Sequence, residues 1–175
     1  MFKNVMLVAA IAVSSLVSAQ VKAYKDIYFG MSKSEAKSVF KKDKEAYTNA
    51  QIGSYLYRIY TQNFVYDEKG EVFQIALTAK GGGLYGILES EAMDRLRDLV
   101  RFANANGYTT DGVSVGASEF EFNKNAEYLF ISPKKDKFMK LVFVPSPSSD
   151  LVYCTLWTGL YDEKVVEASY KSSDF

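Results

Sequence analysis

The sequence predicts an α+β fold: two helix-plus-antiparallel-strand units forming one twisted antiparallel sheet, with the helices packed on one face. Three observations carry this prediction. Two segments repeat apolar residues at helical spacing, one over about 32–47 and one over about 89–106. The stretches after each are rich in Tyr, Phe, Val and Ile and are broken by polar turns. The 13 Tyr and 12 Phe among 175 residues favour pleated, half-buried surfaces.

Residues 1–19 are expected to be a cleaved secretory signal. Lys3 gives a positive start, Val5 to Val17 is apolar apart from Ser14 and Ser15, and Val17-Ser18-Ala19 places small residues where a signal peptidase reads. The apolar run is shorter than the roughly 20 residues of a membrane span. No Cys follows it to carry a lipid. The expected mature chain starts at Gln20 and works in the periplasm or after secretion, without membrane insertion.

The first mature residues, Tyr24 to Met31, read as short and partly extended. Ser32-Lys33-Ser34-Glu35 is a capping-box pattern, in which the Ser hydroxyl and the Glu carboxylate satisfy each other's backbone N–H groups. Ala36, Val39, Phe40 and Tyr47 then follow at helical spacing. Residues 54–80 predict a hairpin turning at Asp67-Glu68-Lys69-Gly70, with Gly70 free to take positive φ. In its second strand Phe73, Ile75 and Leu77 fall on one face, with Gln74 and Thr78 on the other. The second helix has the stripe Ala92, Met93, Leu96, Leu99, Val100 and Ala103. Glu91, Asp94, Arg95, Arg97, Asp98 and Arg101 are expected largely on its solvated side, and Gly107 ends it. Strands are then predicted at 119–123, 127–132, 138–145 and 151–157, with turns at Lys134–Lys137 and Pro145–Asp150. Residues 20–161 form the expected α+β domain, which also reads as a tandem of 24–80 and 87–161. Residues 162–175 are a polar tail.

Composition removes several function classes. Basic and acidic residues balance at 21 each, so no net field recruits nucleic acid or an anionic membrane. There is no His, which excludes Ser-His-Asp and Cys-His hydrolases and the commonest transition-metal ligand. The single Cys154 cannot form an internal disulfide, and it sits in a strand-like run where burial is the simpler expectation. No cofactor or metal is expected.

Gly81-Gly82-Gly83-Leu84-Tyr85-Gly86 satisfies G-x-G-x-x-G between a strand and a helix. The dinucleotide mechanism also needs a parallel βαβ unit and an acidic residue about twenty positions on. Neither is present, so the segment reads as a connector or as a flap beside a binding face. Glu68, Glu71, Glu119, Glu121 and Glu127 lie in or near strands and are the only ordinary acid–base candidates. Ser32-Lys33-Ser34 is accounted for by the cap, and Asp67 to Glu71 is too short for a calcium loop. The aromatic strand near residue 55 is the strongest functional candidate. Tyr55, Tyr57 and Ile59 share one side, and Leu56, Arg58, Tyr60 and Gln62 share the more polar one. On the last strand Tyr153, Thr155 and Trp157 align. Arg58, Tyr60, Tyr153 and Trp157 are therefore the candidate binding residues, an aromatic-plus-Arg set suited to an exposed sheet face. Packing within the sheet or against the helices is the competing role.

The segment Ile27-Tyr28-Phe29-Gly30-Met31-Ser32-Lys33-Ser34-Glu35-Ala36 resembles the opening of the superfamily that includes small outer-membrane-assembly lipoproteins and β-lactamase-inhibitor-protein-like domains. The resemblance implies tandem helix-plus-hairpin copies, a curved sheet with helices behind it, and a sheet that docks a partner protein. The chain lacks the lipid-attachment Cys and the inhibitor-type cysteine pair, and no functional residue carries over. The functional expectation is an exported, non-catalytic protein that engages another envelope or extracellular protein through an aromatic sheet face. The alternatives are a small-ligand (glycan or peptide) binder and a carboxylate-dependent hydrolase.

Overall fold

The computed structural model describes residues 20–81, 86–110, 126–147 and 149–163. The expected signal at 1–19, the strand at 119–123 with Glu119 and Glu121, the centre of the glycine-rich segment at 82–85, and most of the polar tail lie outside the described residues.

The chain opens with a small ribbon, β1 (Lys22–Tyr24) and β2 (Ile27–Tyr28), and then enters α1 (Lys33–Lys42). Ser32 caps α1 as expected: its hydroxyl accepts from Glu35 N, and Glu35 Oε2 accepts from Ser32 N at 2.9 Å. The hydroxyl and backbone of Ser32 hold the Glu35 carboxyl below its usual range. The single expected helix is in fact two. Asp43 leaves helical geometry at φ −140, and its carboxylate accepts from Ala46 N to start α2 (Lys44–Thr48). This break turns Tyr47 inward, where its ring lies 5.4 Å from Phe40 and 6.0 Å from Tyr24.

Among the described residues nine strands form one antiparallel sheet: β3 (Ala50–Ile52), β4 (Tyr55–Arg58), β5 (Phe64–Tyr66), β6 (Val72–Ala79), β7 (Ile87–Leu88), β8 (Thr109–Thr110), β9 (Ala126–Ile131), β10 (Lys137–Pro145) and β11 (Leu151–Leu160). The order across the sheet is β3-β4-β6-β11-β10-β9-β8. Two runs of neighbouring strands, one from each half of the chain, thus meet where β6 pairs with β11. A 3-10 turn at Thr61–Asn63 separates β4 from β5, and both pair with β6. The predicted turn forms: Asp67 Oδ1 accepts from Lys69 N and Glu71 N, and Gly70 takes φ +79.

The register in β6 differs from the expected alternation at one residue. Phe64 faces Ile75 and Val65 faces Gln74, but Tyr66 faces Val72, leaving Phe73 as an extra residue. This bulge reverses parity, so Val72 is in the core and Phe73 is only part-buried.

The second helix, α3 (Glu89–Ala105), buries Ala92, Leu96, Leu99, Val100 and Ala103, as its stripe predicts. It also buries Arg95, which is 2 % exposed, against the expectation of a solvated charge. Both helical segments pack on one face. That face contributes Leu77, Leu141, Phe143, Val152, Cys154 and Leu156 to the same core as Phe40 from α1 and Leu99 from α3. Cys154 is buried, and burial pushes its thiol up to about 12. No helix of the described residues is long and apolar enough to cross a membrane.

Candidate functional site on the sheet

The face opposite the helices is read from cross-strand registers. One row runs Arg58–Thr78–Thr155–Val142–Glu127 across β4, β6, β11, β10 and β9. The next row is Ala76–Trp157–Lys140–Leu129. Side chains alternate along a strand, so Tyr153 shares this face with Thr155 and Trp157, and Leu56 shares it with Arg58. Tyr153 pairs with Val144, and Leu151 pairs with Leu88.

Arg58, Tyr60 and Tyr153 meet around a shallow concavity of about 230 Å³, with Thr78, Ala79, Gly86, Ile87, Cys154 and Thr155 completing its lining. Three of the four candidate residues are thus together. Trp157 has the expected parity but pairs with Ala76 and Lys140, four residues from Tyr153, or about 13 Å along an extended strand. It is part-buried on the same face, outside the lining. Tyr55, Tyr57 and Ile59 turn to the other side: Tyr57 and Ile59 are fully buried and Tyr55 is part-buried.

The rim is apolar at one end. Leu56 is 40 % exposed, Tyr153 41 %, Val144 38 % and Leu88 59 %. Water contact for four large hydrophobic side chains at one end of a sheet face is a concentration, where scattered single residues would need no explanation. Among the described residues Arg58 makes no ion pair, and no Asp or Glu lines the concavity.

β6 and β7 both pair with β11, Thr78 with Thr155 and Leu88 with Leu151, so the described strands on either side of the glycine-rich segment share one neighbour. Gly86 returns at φ +105, and a Cβ there would fall 2.7 Å from the Val152 carbonyl oxygen. Only glycine fits this close backbone approach.

Arg95, which the sequence pattern placed elsewhere, lies on the core side of the same strand ends. Its Nη2 donates to Lys80 O and Glu91 Oε1, both at 2.7 Å, its Nε to Glu91 Oε1 at 3.1 Å, and its Nη1 to Leu56 O at 3.0 Å. Its guanidinium stacks 4.6 Å from the Tyr55 ring centre and 5.1 Å from that of Tyr57. One buried cation therefore fixes the backbone flanking Arg58 and Ala79. Burial raises the Tyr57 phenol well above its usual value, a shift that nearby Arg95 reduces.

Three carboxylates near the sheet are engaged outside the concavity. Asp98 accepts from Ser54 N at 2.7 Å and Ser54 Oγ at 2.8 Å, and Asp94 pairs with Arg97 at 3.1 Å, in a separate charged cleft of about 360 Å³ between α3 and the β3–β4 turn. Glu127 pairs with Lys140 at 3.0 Å. Among the described residues no group of three or more Asp, Glu or Cys side chains is disposed to hold a metal.

Compared with known proteins, the chain matches no family model, no curated protein and no solved structure.

Proposed function

We propose that this chain is an exported, non-catalytic binding protein that engages another envelope or extracellular protein through the sheet face centred on Arg58, Tyr60 and Tyr153. The observation that carries this reading is the company those residues keep. An Arg and two Tyr surround one concavity, and Leu56, Leu88 and Val144 extend its rim as exposed apolar surface. Arg and aromatic residues with an apolar surround are what protein interfaces enrich. The strand order, which mirrors itself about the β6–β11 pair, supports the tandem organisation implied by the resemblance at residues 27–36. Export rests on the signal pattern of residues 1–19.

The size of the concavity favours this reading over a small-ligand binder, because ligand pockets run from about 300 to 1,000 Å³ and this one holds about 230 Å³. Its lining, which offers no Asp or Glu among the described residues, favours it over a carboxylate-dependent hydrolase, which needs two. The test is in-cell photocross-linking in the native host, with the reactive residue at Val144 on the sheet face or at Lys41 on the exposed side of α1. One protein captured from position 144 and not from position 41, and lost on Tyr153→Ala, is the expected result. Capture from position 41 alone, or equal capture from both, overturns the proposal. N-terminal sequencing of the exported protein tests export, with Gln20 expected and Met1 contrary to it.

A further inference from the structure

Resting on that reading, we infer that the concavity beside Arg58 is a seat for a carboxylate, and that the partner is a protein segment presenting an Asp or Glu side chain between apolar residues. Charge complementarity carries the argument. Among the described residues Arg58 is the one charged side chain in the lining. The residue is part-buried and makes no ion pair among the described residues. The carboxylate in its own cross-strand row is Glu127, four strand spacings or about 19 Å away, and Lys140 already holds it at 3.0 Å.

The rest of the lining fits the same occupant. A guanidinium is weakly hydrated and presents a flat fork of donors that matches a carboxylate. The Tyr60 and Tyr153 side chains bound the site, and the Thr155 side chain shares the Arg58 row. Thr78 Oγ1 donates to Arg58 O at 3.2 Å, tying the two strands together at Arg58. A volume of about 230 Å³ suits one inserted side chain, and Leu56, Leu88 and Val144 then lie where the flanking residues of the same segment would pack.

The test is selection of short random peptides displayed on phage against the purified full chain, followed by affinity measurement with synthesised winners. The expected winners carry an acidic residue flanked by apolar ones. Arg58→Gln should weaken them about tenfold or more, and Arg58→Lys by less. Replacing the peptide's acidic residue by its amide should weaken binding to the unmodified protein while changing little against Arg58→Gln. Circular dichroism establishes that each variant is folded. Winners without acidic residues that bind Arg58→Gln undiminished but lose binding to Tyr153→Ala overturn the carboxylate seat and leave the docking face standing. If no peptide is enriched, or if neither Arg58→Gln nor Tyr153→Ala affects the winners, the docking face falls and the carboxylate seat falls with it.

Discussion

Arg95 offers the sharpest test of how the sheet is held to α3. Among the described residues, replacing it with Ala removes the only side-chain donor to Lys80 O and one of two donors to Leu56 O, and it strips a cation from two tyrosine rings. An orphaned buried acceptor costs about 1–3 kcal/mol, and each cation–π contact contributes about 0.5–2 kcal/mol. Glu91 is 32 % exposed and regains water once its partner is gone, so it adds little. These parts sum to about 2–7 kcal/mol, centred on about 3–5 kcal/mol. For a chain of this size each kcal/mol lowers Tm by about 2–4 °C, so Arg95→Ala should lower it by about 6–20 °C. Arg97→Ala, which removes an ion pair 46 % and 56 % exposed at its two ends, is the control and should change stability by less than about 0.5 kcal/mol. Arg95→Lys keeps the charge but cannot span both carbonyls and Glu91 at once, so it should fall between the two. Urea unfolding followed by tyrosine fluorescence reads all three. Equal midpoints for Arg95→Ala and Arg97→Ala would refute the reasoning, and Arg95→Lys matching the unmodified protein would refute the part assigned to the guanidinium fork.

Cys154 should resist a maleimide in the native protein at neutral pH and react fully in urea, because it is 4 % exposed and its thiol is pushed up to about 12; rapid native labelling, read by intact mass, would contradict the buried placement. Stability should fall as pH rises above about 9: the Cys154 thiol, the Tyr57 phenol and the Tyr128 phenol (itself raised to about 12) keep their protons longer folded than unfolded. Urea midpoints across that range should decline, and less steeply in Cys154→Ala; a flat profile contradicts the assignment. Gly86→Ala should cost about 1–3 kcal/mol and more than Gly30→Ala. Both positions have positive φ, but a Cβ at Gly86 meets Val152 backbone whereas one at Gly30 meets nothing within 4 Å. Equal costs in urea unfolding would show that the close approach is unimportant.

The sequence made the fold legible wherever a periodic pattern coincided with a local signal. Ser32 and Glu35 marked the start of α1, Asp67 and Gly70 marked the turn, and the stripe from Ala92 to Ala103 marked α3. The differences arise where one residue changes the phase. Asp43 ends one helix and caps the next, a double use that the apolar spacing alone conceals. The extra residue at Phe73 exchanges the two faces of β6 for Val72, and simple alternation has no term for a bulge. Arg95 was placed outside by its charge, although it lies three residues after Ala92 and four before Leu99, on the buried stripe. Its position in the period was the available signal. For the candidate site, parity correctly put Tyr153 and Trp157 on one face, but parity carries no distance along the strand, which is what leaves Trp157 out of the concavity.

The pairing of β6 with β11 also has a consequence in time. Thr78 meets Thr155 and Leu77 meets Leu156, so the seam at the centre of the sheet joins segments nearly eighty residues apart in sequence. During synthesis the first half of the chain emerges long before its central neighbour, and β6 then has one long edge with no strand to pair with. The concavity is no more complete than the seam, because Arg58 comes from the early half and Tyr153 from the last strand. Closure of so distant a contact is intrinsically slow. A newly made chain therefore passes through an interval in which it is long enough to be handled or threaded while the concavity between Arg58 and Tyr153 does not yet exist.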